Sequence, residues 1–161
     1  MNGRQSESRV RLSVLDRLAS GTDGAASLSE SVSAMRNAVR RDLDRLLNTR
    51  RIAEPATDEF PEVQKSLYHY GLPDITSLSG DSNTARRRLV RQVEEAIELF
   101  EPRLTNVRVS GMDTPARADR RQIRFHIEAL LRLDPDPERV AFDTVLETAS
   151  GKISVTGEGD A

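Results

Sequence analysis

Residues 121–133 read RQIRFHIEALLRL, and they decide the fold class. Ile123, Phe125, Ile127, Ala129, Leu131 and Leu133 occupy every second position, with Arg124, His126 and Glu128 between them. Successive side chains of a strand point to opposite faces, so this pattern predicts a half-buried β-strand. His126 is expected on its solvated face, in a row with Arg124 and Glu128. Asp134-Pro135-Asp136-Pro137 ends the strand. Beyond it, Val140, Phe142, Thr144 and Leu146 alternate in the same way, and Ser150-Gly151 turns the chain into Lys152-Ile153-Ser154-Val155. Upstream, Asn106–Ser110 alternates as well.

The N-terminal half carries a different period. Val32, Met35, Val39, Leu43, Leu46 and Leu47 recur three and four residues apart, one apolar stripe of a helix. Ser27-Leu28-Ser29-Glu30 fits a capping box at its start, and Asn48 sits where a C-terminal cap would. Off the stripe, Asp42 can pair with Arg45, and Asp44 with Arg40 or Arg41. A second helix is predicted from about Asn83 to Phe100, with Leu89, Val93, Ala96, Ile97 and Phe100 inward. Ser82, Asn83 or Thr84 would cap it, and Pro102 ends it. Between the helices, Phe60, Val63, Leu67 and Tyr70 are the expected anchors, and Tyr70-Gly71-Leu72-Pro73-Asp74 reads as a turn. Helices first and strands second predict an α+β fold, with two main helices packed on a small, mainly antiparallel sheet formed by the C-terminal half. The expected division is an N-terminal arm over 1–26, where VRLSVLDRLA can form a short helix, one domain over 27–157, and a loose tail over 158–161.

The chain has 161 residues, 37% of them hydrophobic and 31% charged, with a net charge of −2. It has no cysteine, which excludes disulfides, thiolate catalysis and cysteine-ligated metal sites. No apolar run is long enough to span a bilayer, and MNGRQSESRVR lacks the apolar core of a signal peptide, so a cytoplasmic location is expected. His69 and His126 have no evident metal-binding partners, and His69 is expected to be partly buried. No phosphate-binding glycine loop or nucleophile elbow is present. Glu98 and Glu101 could be paired as catalytic carboxylates by position alone, which twenty-six acidic residues make easy. Arg86-Arg87-Arg88 with Arg91 is the densest basic run, but Glu94, Glu95 and Glu98 follow, and aromatics are only 4%. A nucleic-acid surface is therefore not expected. No catalytic residue, metal or cofactor is predicted.

Five stretches carry a resemblance: LSVLDRL (12–18), RRDLDRLLNTRR (40–51), YGLPD (70–74), FEPRL (100–104) and FDTVLETASGKISV (142–155). In that order they resemble TssE, the type VI secretion baseplate subunit of the phage T4 baseplate-wedge lysozyme-like family, over roughly Leu12–Val155. His69 departs from the pattern, where a smaller polar residue, often Asn, is expected. The resemblance implies a structural, non-enzymatic part in a baseplate wedge with TssF, TssG and TssK. It implies contact with the first sheath ring, built from TssB and TssC, and assembly at the inner face of the cell envelope. Glu101, Pro102 and Arg103 match the family's Glu-Pro-Arg motif, tied to sheath or wedge contact. A corner that only holds helix to sheet is the bland alternative. Arg41, Asn48, Thr49, Arg50 and the Tyr70, Gly71, Leu72, Pro73, Asp74 turn match family words and are the other expected contact residues. The resemblance also suggests strand addition at the Lys152–Val155 edge, templating the sheath. A regulatory adaptor on the same fold is the runner-up function, and a lysozyme-like hydrolase, which no residue constellation supports, comes last.

Overall fold

The alternation of Ile123–Leu131 is realised as a central strand of the computed structural model, which describes residues 18, 28–52, 59–74, 83–111, 122–134 and 136–157. Among these, strand β1 spans Leu104–Gly111, β2 Gln122–Leu131, β3 Glu138–Glu147 and β4 Ile153–Gly157. They form one antiparallel sheet in the order β1-β2-β3-β4. β2 and β3 pair without a slip from Gln122↔Glu147 to Leu131↔Glu138. Ile123, Phe125, Ile127, Ala129 and Leu131 are buried, as are Val140, Phe142 and Leu146 opposite them. A one-residue slip would turn all of these to solvent, so burial fixes the register.

β1 does not keep a strict period of two. Leu104, Val107 and Val109 are all buried, although Leu104 and Val107 are an odd number of residues apart. The register shifts between Thr105 and Arg108, and Asn106 there has φ 53°. The extra residue of a bulge turns the strand back into phase, and Asn is among the few non-glycine residues that tolerate a left-handed backbone.

Helix α1 spans Leu28–Asn48, the short α2 Pro61–Gln64, a 3₁₀ turn Leu67–His69, and α3 Asn83–Phe100. The stripes read from sequence are the buried ones: Val39, Leu43, Leu46 and Leu47 on α1, and Leu89, Val93, Ala96 and Ile97 on α3. α3 lies against β1 and α1 against β4, and the two helices touch each other. Their side chains join those of the inward strand positions in one core, with Met35 and Phe100 packed partly buried at its margin. The fold is α+β. The expected capping box rests on Ser27, which lies outside the described residues, as does Ser82.

The segment before α3 differs from expectation. Phe60, Val63 and Leu67 are 57%, 36% and 81% exposed, so they do not anchor it. Leu72 does, at 2% exposure. The reason is a clasp to the end of α1: the Leu72 N–H donates to the Thr49 carbonyl at 2.9 Å, and the Arg51 N–H donates to the Leu72 carbonyl at 2.8 Å. This backbone pairing, an isolated parallel bridge Arg50↔Leu72, carries Leu72 into the core and leaves the residues before it outside.

Candidate functional site

Pro102 has no N–H to continue α3, and the chain turns there into β1. The turn returns the Glu101 side chain inward, where it is 5% exposed. A buried carboxylate needs a partner. Arg103 supplies it: its Nε donates to Glu101 Oε1 at 2.6 Å and its Nη2 donates to Glu101 Oε2, a two-pronged pair. The same Nη2 donates to Asp42 Oδ2 of α1 at 2.6 Å. Asp42 also accepts from Arg45 at 3.2 Å, the intrahelical pair read from sequence. The hydrogen bond to Glu101 holds the Arg103 guanidinium more firmly protonated than usual. Burial opposes this, and the bond to Asp42 adds to it. The Glu-Pro-Arg corner thus ties α1, α3 and β1 at one point.

Tyr70 stands beside this corner, its ring edge-on to Phe100 at 5.2 Å. Burial pushes its phenol above the ordinary value, and the charges of Asp42 and Glu101 push the same way, partly opposed by Arg45.

A second group of expected residues meets at the clasp. Gly71 has φ 103°, and a Cβ there would lie 2.3 Å from the Thr49 carbonyl oxygen. Only glycine fits so close an approach with that backbone. The Thr49 hydroxyl donates to the Arg45 carbonyl at 2.7 Å. Asn48 reaches furthest. Its Nδ2 donates to the Asp44 carbonyl at 2.7 Å and to the Ile153 carbonyl at 2.8 Å, and its Oδ1 accepts from the Ile153 N–H at 2.9 Å. Arg41 is exposed on α1, Asp74 is exposed and Pro73 half-buried, while Arg50, exposed just after α1, takes part in the clasp through its backbone bridge to Leu72.

The Asn48 contact bears on the sheet edge. Glu147 N–H donates to the Lys152 carbonyl at 2.9 Å. Along an antiparallel pair the residues bonded to the neighbour alternate with those turned outward. Ile153, Val155 and Gly157 therefore turn their backbone groups away from β3, and Asn48 occupies those of Ile153. On the opposite edge, Glu94 of α3 accepts from the Val109 N–H at 3.0 Å. A polar side chain from each helix thus blunts one edge of the sheet. Sequence reading missed the tie of Asp42 to Arg103, that of Glu94 to β1 and the reach of Asn48. The only local signal was a polar residue on the flank of an apolar stripe.

On the outer face of the sheet, His126 accompanies Arg124 and Glu128 as expected. It stands opposite Asp143, Nδ1 to Oδ1 2.6 Å, with Glu128 at 3.7 Å. His69 is half-buried, its Nδ1 3.3 Å from the Val63 carbonyl. Among the described residues no three acidic or histidine side chains converge as metal ligands.

A family model described as "Baseplate wedge protein gp25" matches residues 33–136, from the first turns of α1 to the loop before β3. One chain of a solved structure, "The baseplate complex from the type VI secretion system", superposes with a TM-score of 0.48 at 20% identity, covering 71% of this chain and 96% of that one. No curated protein matches significantly.

Proposed function

Because the chain belongs to the baseplate wedge protein gp25 family, we propose that it is the TssE-type component of a type VI secretion baseplate, joining the wedge to the first ring of the sheath. Its wedge partners are TssF, TssG and TssK, and its sheath partners TssB and TssC. It works from the cytoplasmic side, at the inner face of the envelope. Among the described residues no helix is long and apolar enough to cross a membrane.

One observation carries the sheath-facing part of this reading. The β4 edge is half closed: Ile153 is occupied by Asn48, whereas Val155 and Gly157 turn outward beyond the Asn48 contacts. An extended segment of a sheath subunit adds there as a further strand. Main-chain bonds supply its affinity, and Asn48 sets where pairing starts and hence its register. The sheet then acts as a template on which the first sheath subunit takes an extended, strand-paired form.

The corner serves the wedge side. Glu101 is too buried to touch a partner and holds Arg103 in place, while exposed Pro102, Arg41, Arg50 and Asp74 present the surface.

Proline at Gly157 tests the template. A proline there removes an outward N–H and leaves the bonds to β3 intact. Wild-type protein with the wedge subunits is expected to nucleate polymerisation of the sheath pair, and Gly157→Pro to lose nucleation while still co-purifying with the wedge. Unchanged nucleation by Gly157→Pro and by Val155→Pro, both folded, would refute strand addition at this edge.

A further inference from the structure

We propose that the cleft between α3 and the segment Pro61–Pro73 is a second docking site, and that it takes an acidic, amphipathic segment of another subunit. The proposal rests on the assembly reading only for the partner being another subunit, and it uses neither the β4 edge nor the Glu-Pro-Arg corner.

The cleft measures about 430 Å³, within the range of ligand pockets. Ala96 of α3 and Gly71 opposite are its buried lining residues, and Phe100, Pro73, Gln64, His69 and Gln92 line it half-buried. Leu99, which lines it, is 43% exposed, and Phe60 and Leu67 on the neighbouring segment are 57% and 81% exposed. Single exposed apolar residues are ordinary, but two of these belong to the same short segment that supplies Pro61, Gln64 and Lys65 to the cleft lining, a segment whose backbone is fastened at Leu72. Phe60 and Leu67 read in the sequence as anchors of this segment, and the chain's own core leaves them outside.

Charge selects the occupant. Arg51 and Lys65 line the cleft. Arg51 meets no carboxylate among the described residues, and Lys65 has only a loose, exposed contact with Glu62 at 3.9 Å. Both cations stand on the Arg51–Pro73 side, and the one acid lining the cleft, Glu95, stands on α3. An incoming segment that seats a bulky apolar side chain over Ala96 and Phe100 therefore gains most by turning carboxylates toward Arg51 and Lys65. A basic segment meets two like charges there.

The test is a photo-crosslink from the full chain in cells that make the whole machine. Benzoylphenylalanine replaces Leu67, whose side chain has no part in the core, and a second variant carries it at Ser154 on the outer face of the sheet. The crosslink from position 67 is expected to map to a segment of another subunit with Asp or Glu within about one helical turn of a bulky apolar residue. Arg51→Glu with Lys65→Glu is expected to lower its yield about tenfold, and Lys substitutions at the partner's mapped acids to restore it. Gly157→Pro should leave it unchanged, which separates this site from the strand-addition reading. Four results would each overturn the proposal: a mapped segment without carboxylates, a second copy of this chain, a yield indifferent to charge reversal, or no crosslink above that from position 154.

Discussion

Gly71→Ala should open the clasp between the end of α1 and the segment before α3. The added methyl would sit 2.3 Å from the Thr49 carbonyl oxygen and 2.8 Å from its carbon. These are backbone atoms at the end of a packed helix and cannot swing aside. The backbone also has φ 103°, which strains any residue with a Cβ by about 1–3 kcal/mol. The cheaper response is release of the Leu72–Thr49 and Arg51–Leu72 bonds, each worth about 1 kcal/mol, together with exposure of Leu72, worth about 2 kcal/mol. A loss of about 3–4 kcal/mol is expected. For a domain of this size that corresponds to a fall of roughly 10 °C in the unfolding midpoint. Urea unfolding measures the loss, and hydrogen exchange at the Arg51 and Leu72 amides shows whether the clasp is where it arises. Gly111→Ala is the control, since nothing lies within 4 Å of a Cβ there, and its effect should stay within about 0.5 kcal/mol. If Gly71→Ala unfolds within about 0.5 kcal/mol of wild type with both amides still protected, the clasp argument is wrong.

Four further outcomes follow from the same geometry. Asn48→Ala uncovers both backbone groups of Ile153 and should destabilise the chain by about 1–2 kcal/mol, with faster exchange of the Ile153 amide and self-association visible by sedimentation. Arg103→Ala leaves the buried Glu101 carboxylate without its partner and should cost about 3–5 kcal/mol in chemical unfolding; adding Glu101→Gln should recover part of that loss. The Thr144 hydroxyl is buried with no hydrogen-bond partner among the described residues, so Thr144→Val should raise stability by about 1 kcal/mol, and a loss would argue against an orphaned group. Tyr70 is neutral in the fold beyond the pH at which an unfolded tyrosine ionises. Its contribution is therefore complete below that ordinary value and lost as pH rises through the higher folded one; absorbance titration should show one of the two tyrosines ionising late, a phase that Tyr70→Phe removes.

What was legible in the sequence was whatever a single element records by itself. The apolar positions of β2, β3 and both long helices follow from strand and helix periods, and most are buried where their period put them, with Val32, Met35, Phe100 and Leu133 half-buried at the margins. The failures lie where one element answers another. Phe60 and Leu67 resemble core residues to any local pattern. They are left outside because Leu72, further along the chain, is the residue fastened to Thr49. Asn48 sits at a helix end, as a cap would, yet it spends its amide on Ile153, 105 residues away. The bulge at Asn106 was invisible in Asn106–Ser110 alone, and becomes readable only when Leu104 is counted as inward too. At the Glu-Pro-Arg corner the words were found and the resemblance tied them to contact, but which of the three could reach a partner depended on Asp42, 61 residues from Arg103.

The two helices therefore settle more than the burial of one face of the sheet. Each also places a polar side chain against a sheet edge, Glu94 on β1 and Asn48 on β4, so the packing that forms the core also limits where another strand can join. The two closures are unequal. Glu94 occupies one N–H of β1 through one carboxylate oxygen, whereas Asn48 fills both the donor and the acceptor of Ile153 and stops there. An amide that matches a backbone pair in both senses mimics one residue of a neighbouring strand. Under the strand addition proposed above, a segment joining β4 would meet that residue already in place and would have to begin beyond it, at Val155. Closing Val155 as well would protect the isolated chain more completely, but would leave β4 no site for a partner strand. Leaving Ile153 open would let an incoming strand slide in register, and a template needs one register only. Asn48→Ala should therefore do what loss of a merely stabilising residue would not: leave strand addition possible but make its register heterogeneous. Disulfide trapping between a cysteine at Ser154 and cysteines along the added segment would read this, as one dominant pair in the wild type and several in the variant. A single dominant pair in both would mean that Asn48 holds the fold and has no part in setting the register.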